Sequence, residues 1–302
     1  MTTATSPTPI AQGSLGAWLL AIRPRTLTVG VAPVLVGIAL AHRSGTLRVL
    51  PALAALIGAL LLQIGSNLAN DVFDYEKGAD TEERLGPLRT AQAGLLTPRA
   101  LKLGMLVVFA AALLIGVYLT FVSGWVIVAI GLASIAAAIA YTGGPYPLGY
   151  NGLGDVFVFV FFGLIAVAGT AFVSSGEWSV IELYAGAAVG AIATNVLVVN
   201  NVRDVEQDRR AGKRTVVVRF GRTFGVIEYG ACLLLAYAIP LLFWLCGWAG
   251  AMVLLPLATA PLAFGLLRRL VTERGAALNP VLASTAKLVF LHGLLFALGL
   301  AA

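Results

Sequence analysis

Charge is scarce in this chain. Only 11% of its 302 residues are charged, with 14 Asp and Glu against 20 Lys and Arg. A soluble domain carries about 25%, and a mean hydropathy of +0.93 points instead to an integral membrane protein. Cysteine is nearly absent as well. Cys232 and Cys246 lie fourteen residues apart on one expected helix, too distant to bridge one another, and read as two buried thiols. No β-type alternation of polar and apolar residues is present, which argues against a transmembrane barrel. Residues 1–13 lack the charged n-region and apolar h-region of a cleavable signal. They are polar and bear Thr, Ser and Pro, so a disordered tail is expected there, followed by a single transmembrane domain over 14–302.

Long apolar runs are what the chain does have. Stretches of roughly 20 residues, enough to cross a bilayer, fall near 26–42, 49–70, 101–122, 125–141, 153–173, 180–200, 225–246, 249–267 and 280–300. The expected fold class is therefore all-α and integral to the membrane, with nine transmembrane helices. With the N-terminus cytoplasmic, 17 of the 20 Lys and Arg lie on the inner side, the bias that orients membrane proteins. The C-terminus is then outside. The net charge of +6 follows from this topology and from anionic headgroups, so membrane lipid is the expected surrounding and nucleic acid is not an expected partner.

The few carboxylates are concentrated. Four of the six Asp fall in two short segments, Asn67-Leu68-Ala69-Asn70-Asp71-Val72-Phe73-Asp74 and Asn200-Asn201-Val202-Arg203-Asp204-Val205-Glu206-Gln207-Asp208. Asn67 and Asp71, Asn70 and Asp74, and Asp204 and Asp208 are spaced i,i+4, so each pair shares a helix face. Both segments lie where an apolar helix, the second and the sixth, runs out on the cytoplasmic side, four spans apart. That layout suits a duplicated four-helix unit. Hard oxygen ligands in such groups suit Mg²⁺, which is usually held by one or two carboxylates together with substrate phosphates. The partial negative charge of a helix C-terminus acts in the same direction. Basic residues follow each cluster: Lys77, Arg84 and Arg89 after the first, with Asp80 among them, and Lys213 and Arg214 after the second. Acid followed by base, twice, suits a metal-bound diphosphate.

Between spans four and five, Tyr141-Thr142-Gly143-Gly144-Pro145-Tyr146-Pro147-Leu148-Gly149-Tyr150 carries no charge but three Tyr. It fits equally a wall of a cavity or a tight turn with interfacial tyrosines. Asp155 starts span five, where a carboxylate at a helix N-terminus is favourable in itself. His292 reads as a packing residue, and Lys287 as a side chain that snorkels towards the interface.

The motifs Asn70-Asp71-x-x-Asp74 and Asp204-x-x-x-Asp208 resemble those of the UbiA-type membrane prenyltransferases. Five stretches are similar to the branch that prenylates 1,4-dihydroxy-2-naphthoate in menaquinone synthesis. They are Arg23-Pro24-Arg25-Thr26-Leu27; Ser66 to Asp71 with Gly86-Pro87-Leu88-Arg89; Tyr141-Thr142-Gly143-Gly144; Gly152-Leu153-Gly154-Asp155 with the apolar run to Gly163; and Asn200 to Asp204 with Val218-Arg219-Phe220-Gly221. The resemblance implies nine helices around a central cavity open sideways to lipid. It implies a polyprenyl diphosphate bound through Mg²⁺ to both Asp motifs, and transfer of the prenyl group to the acceptor with loss of CO₂.

Carried onto this sequence, the resemblance implies Mg²⁺ held by Asp71, Asp74, Asp204 and Asp208, with Asp80, Asn70 and Asn67 as secondary contacts. Arg23, Lys77, Arg203 and Lys213 would meet the diphosphate, Asn200 and Asn201 would complete the second site, and Tyr141 would face the cation or orient the acceptor. Another acceptor such as 4-hydroxybenzoate fits the same scaffold. A cation-coupled transporter is the rival of a different class, although acids at helix ends followed by basic residues suit phosphate better than an ion path.

Overall fold

The computed structural model describes residues 10–79 and 84–302, so Asp80 and most of the expected tail lie outside the described residues. A short helix, α1 (Leu15–Ile22), precedes the first expected span, with the Ser14 hydroxyl accepting a hydrogen bond from the Ala17 N–H at 3.3 Å. Arg23 then takes a left-handed conformation, φ 55°, and Pro24 opens α2 (Pro24–Arg43). Pro at the first helical position forfeits only an N–H that has no helical partner.

The remaining helices follow the hydropathy. They are α3 (Val49–Glu76), α4 (Pro98–Ser123), α5 (Val126–Ala140), a composite span of α6 (Gly154–Val158), a π-helical segment (Phe159–Ile165) and α7 (Ala166–Ser175), and α8 (Ile181–Arg210). Then come the short α9 (Val216–Phe220), α10 (Arg222–Leu245), a 3₁₀ segment (Ala251–Thr259) continuing into α11 (Ala260–Thr272), and α12 (Asn279–Ala301). Among the described residues, nine apolar helical segments thus stand at the nine expected places, and eight are long and apolar enough to span. The exception is α5, whose 15 residues rise about 22 Å, short of a hydrocarbon core of about 30 Å.

α3 and α8 are each longer than a hydrocarbon core of about 30 Å. α3 has 28 residues and α8 has 30, or about 42 and 45 Å. The excess in each case is the acidic turn, which therefore continues a rigid span.

The main core joins α2, α7, α8, α10 and α12 through Val, Ala and Leu. Close helix approach rests on glycine, as is usual within membranes. A Cβ on Gly37 of α2 would stand 2.6 Å from the Val167 carbonyl oxygen, and one on Gly163 would stand 2.5 Å from the Gly186 carbonyl oxygen and Gly190 Cα of α8. His292 sits fully buried, its Nε2 3.2 Å from the Ala236 carbonyl.

Candidate active site

A central cavity of about 1230 Å³ is walled by α2, α3, α4, α5, the α6–α7 span, α8 and α12. Its polar end carries Arg23, Asn67, Asn70, Asp74, Tyr141, Asn200, Asn201, Asp204, Asp208 and Lys213. The two acidic segments, 130 residues apart in sequence, meet there. Lys213 Nζ lies 3.7 Å from Asp74 Oδ1 and 3.7 Å from Asp208 Oδ1. It also stands 4.5 Å from the centre of the Tyr150 ring, within cation–π range. At 3.7 Å these are ionic contacts without hydrogen-bond geometry.

Asp74 is almost fully buried and densely served. The Tyr150 hydroxyl donates to its Oδ1 at 2.6 Å and Arg89 Nη2 donates to its Oδ2 at 2.9 Å. Asn70, one turn before it, accepts from the Thr142 hydroxyl at 3.0 Å. Helical spacing thus places Asn70 and Asp74 against the Tyr141–Tyr150 loop, which forms a cavity wall.

Asp71 is placed differently. Its Oδ2 accepts from the Thr90 N–H (3.0 Å) and hydroxyl (2.8 Å), its Oδ1 accepts from the Ala91 N–H (3.2 Å), and it forms no part of the cavity wall. Asn67 reaches the cavity but spends its amide on the Ile22 carbonyl (2.8 Å) and Thr26 hydroxyl (3.0 Å). One face of this turn therefore braces neighbouring chain while the adjacent face lines the hole.

Arg203 is likewise not in the cavity wall. Its guanidinium grips Asp204 through Nε–Oδ1 (2.7 Å) and Nη2–Oδ2 (2.6 Å), and also donates to Asn200 Oδ1 (2.6 Å) and Asn279 Oδ1 (2.9 Å). Such a bidentate pair is the strong form of a carboxylate contact. Lys77 donates to the Gly144 carbonyl at 2.8 Å and is exposed.

Tyr141 is half-buried beside Gly149 and Gly154, where added Cβ atoms would come within 2.9 Å of its ring and hydroxyl respectively. Burial pushes its phenol well above the ordinary tyrosine range, and the carboxylates of Asp155, Asp74 and Asp208 push the same way. The group remains a neutral hydrogen-bonding phenol.

Several contributors were not singled out as site residues from sequence. Tyr150 lay within the uncharged loop and Arg89 within the basic run after the first cluster; either signal was available. Thr90, Gln207 and Asn279 gave none, because their roles are long-range. The Asn279 amide donates to the Leu85 carbonyl at 2.8 Å, and Gln207 Oε1 accepts from the Leu85 N–H at 3.4 Å, tying the segment after α3 to α8 and α12. Among the described residues, no three His, Cys, Asp or Glu side chains converge as a ready-made metal cluster.

Comparisons with known proteins identify the family. The model of the UbiA prenyltransferase family matches residues 30–297. The chain is 40% identical over 300 residues to the 1,4-dihydroxy-2-naphthoate octaprenyltransferase of Escherichia coli, covering 94% of each chain. It is 37% identical over 273 residues to the Mycobacterium tuberculosis protein of the same name, covering 90% of this chain and 92% of that one. In fold it is similar to a UbiA homolog from Archaeoglobus fulgidus bound to GPP and Mg²⁺, with a TM-score of 0.61 at 14% identity over 93% of this chain and 99% of the other. With its apolar spans and this match over most of its length, the chain is a multi-pass membrane protein that belongs to the UbiA prenyltransferase family.

Proposed function

We propose that this protein transfers a polyprenyl group from a polyprenyl diphosphate to 1,4-dihydroxy-2-naphthoate with loss of CO₂, giving demethylmenaquinol. The observation that carries the reading is the meeting of both acidic helix ends, through Lys213, at the polar head of one long apolar cavity. A diphosphate with an apolar tail needs that combination. The E. coli and M. tuberculosis relatives carry the matching activity in their names.

The donor set fits Mg²⁺: Asp74, Asp204 and Asp208 with the amide oxygens of Asn70, Asn200 and Asn201 are all hard oxygen groups, and they wall the same space. A ready-made cluster of three carboxylates is not required, because Mg²⁺ is usually held by one or two carboxylates together with substrate phosphates. Asp74, Asp204 and Asp208 would hold it, and bound there it neutralises charge on the departing diphosphate. Asp71, which lines no part of the cavity and accepts from Thr90 and Ala91, is assigned to bracing residues 90–91, and Asp80 stays a candidate from sequence alone. Lys213 and Arg23 neutralise diphosphate oxygens directly, while Arg203 orients Asp204.

In the reaction the allylic C–O bond breaks and its electron pair leaves with the diphosphate. The naphthoate ring carbon bearing the carboxylate attacks the allylic carbon. The bond to CO₂ then breaks, and its electrons restore the aromatic ring. Tyr141, neutral and lining the cavity, offers a hydroxyl for the acceptor and a ring face for the allylic cation. We place the site on the cytoplasmic side of the plasma membrane, N-terminus inside and C-terminus outside, from the distribution of Lys and Arg. Asp74→Ala and Asp208→Ala test the proposal: each should lower transfer by at least ~100-fold in protein that elutes as a folded monodisperse species. Retained activity in both variants sinks it.

A further inference from the structure

Far from the acids, the cavity ends in two layers built by the same four elements. Ala54, Leu119, Ile127 and Val173, from α3, α4, α5 and α7, are buried against one another as a small cluster separate from the main core. One helical turn closer to the acids, each of these helices places a glycine on the same face: Gly58, Gly116, Gly131 and Gly169. The spacing is four residues on three helices and three on α4, the two spacings that share a face. All four glycines line the cavity.

Helix packing does not account for them. An added Cβ would meet nothing within 4 Å at Gly116 or Gly131, only Ile130 Cδ1 at 4.0 Å from Gly169, and only Ile115 Cγ2 at 3.5 Å from Gly58. Gly37 and Gly163, by contrast, face backbone at 2.6 and 2.5 Å. Glycine is a poor helix former, yet four stand at one level around open volume. Two hydroxyls near that level are turned onto their own helices: Thr120 donates to the Gly116 carbonyl at 2.7 Å and Ser134 to the Ile130 carbonyl at 2.8 Å. The chamber is therefore shaped for an apolar occupant.

We propose that Gly58, Gly116, Gly131 and Gly169 make the space that the units from about the fifth onward of a long prenyl chain occupy, with the Ala54–Leu119–Ile127–Val173 layer closing that end of the chamber and turning a longer chain aside. The inference rests on the prenyl-transfer reading. Gly58 lies sixteen residues from Asp74 on α3, or about 24 Å along the helix. An isoprene unit of four zigzag carbon–carbon bonds of about 1.5 Å each advances roughly 5 Å. The collar therefore meets a straight chain near its fifth unit and leaves the first units untouched.

The test compares geranyl diphosphate, with two units, and octaprenyl diphosphate, with eight, as donors to 1,4-dihydroxy-2-naphthoate. Gly131→Leu and Gly116→Leu should lower kcat/KM for the octaprenyl donor about 10- to 100-fold and leave the geranyl donor within about twofold. Gly131→Ala should give a smaller loss in the same direction. Gly230→Leu, on α10 away from the cavity and with nothing within 4 Å of its Cβ, should leave both donors unchanged. Equal losses for both donors, or no loss for either, overturn the inference while the functional reading stands. Wild-type protein that transfers neither donor overturns the functional reading and this inference with it.

Discussion

Arg203→Lys separates two roles that the sequence alone left together. As a diphosphate ligand, Arg203 would be replaced tolerably by another cation. As the clamp on Asp204, it depends on a planar fork that lysine lacks. The wild-type side chain is fully buried and makes four hydrogen bonds, two to Asp204 and one each to Asn200 and Asn279. An ammonium group cannot reproduce the fork and reach Asn279 together, so at least two of the four are lost. Charge-assisted bonds contribute about 1.5–3 kcal/mol each, which puts the loss of two at about 3–6 kcal/mol, overlapping the roughly 3–5 kcal/mol of a broken buried pair. Part of this appears as lower stability. The remainder releases Asp204, and loosening a partner behind a metal ligand costs about 10- to 100-fold in metal affinity. The assay is prenyl transfer titrated with Mg²⁺ at saturating donor, then with donor at saturating Mg²⁺. Half-saturating Mg²⁺ should rise by that factor while the donor KM at saturating Mg²⁺ stays within about twofold. A raised donor KM with unchanged Mg²⁺ dependence would refute the clamp and return Arg203 to the diphosphate.

Asp71→Ala should leave the Thr90 and Ala91 N–H groups unpaired at about 1–3 kcal/mol each. Limited proteolysis between α3 and α4 should accelerate while half-saturating Mg²⁺ stays at the wild-type value; a shift in Mg²⁺ dependence without faster cleavage would contradict the bracing role. Tyr141 has a raised folded-state pKa, so its contribution to stability is intact below the unfolded value near 10 and is lost only above it. Wild type and Tyr141→Phe should accordingly share the shape of their pH–rate profiles up to about pH 9, differing in amplitude; an alkaline limb that the Phe variant removes would show the phenol titrating. Gly37→Ala forces a Cβ to 2.6 Å from the Val167 carbonyl oxygen and should destabilise the α2–α7 contact by about 1–3 kcal/mol, read as a lower thermal midpoint in detergent. Gly230→Ala, with open space around it, should not lower it.

The spans were legible because burial in lipid demands about 20 apolar residues at a stretch, and that demand is written locally. The hydropathy did not show α1, which is only eight residues long, nor the π-helical segment Phe159–Ile165, within which Gly163 packs closely on Gly186 and Gly190 of α8. At the acidic ends, i,i+4 spacing identified two faces on α3 but did not rank them. Asn70–Asp74 and Asn67–Asp71 are equivalent as spacing, and only the positions of residues 90–91 and of the α1–α2 corner decide which pair braces and which meets the cavity. Arg203 gave the same difficulty: a basic residue beside an acidic motif reads as a phosphate ligand until its partner Asn279, 76 residues away, is in place.

The most direct measurement of the central claim uses the purified protein in nanodiscs with octaprenyl diphosphate and 1,4-dihydroxy-2-naphthoate, with Mg²⁺ and with EDTA, and products identified by mass spectrometry. The account predicts a decarboxylated octaprenyl naphthoquinol that forms with Mg²⁺ and disappears with EDTA. Product with 4-hydroxybenzoate alone would contradict the acceptor, and no prenylated product from either acceptor would contradict the account itself.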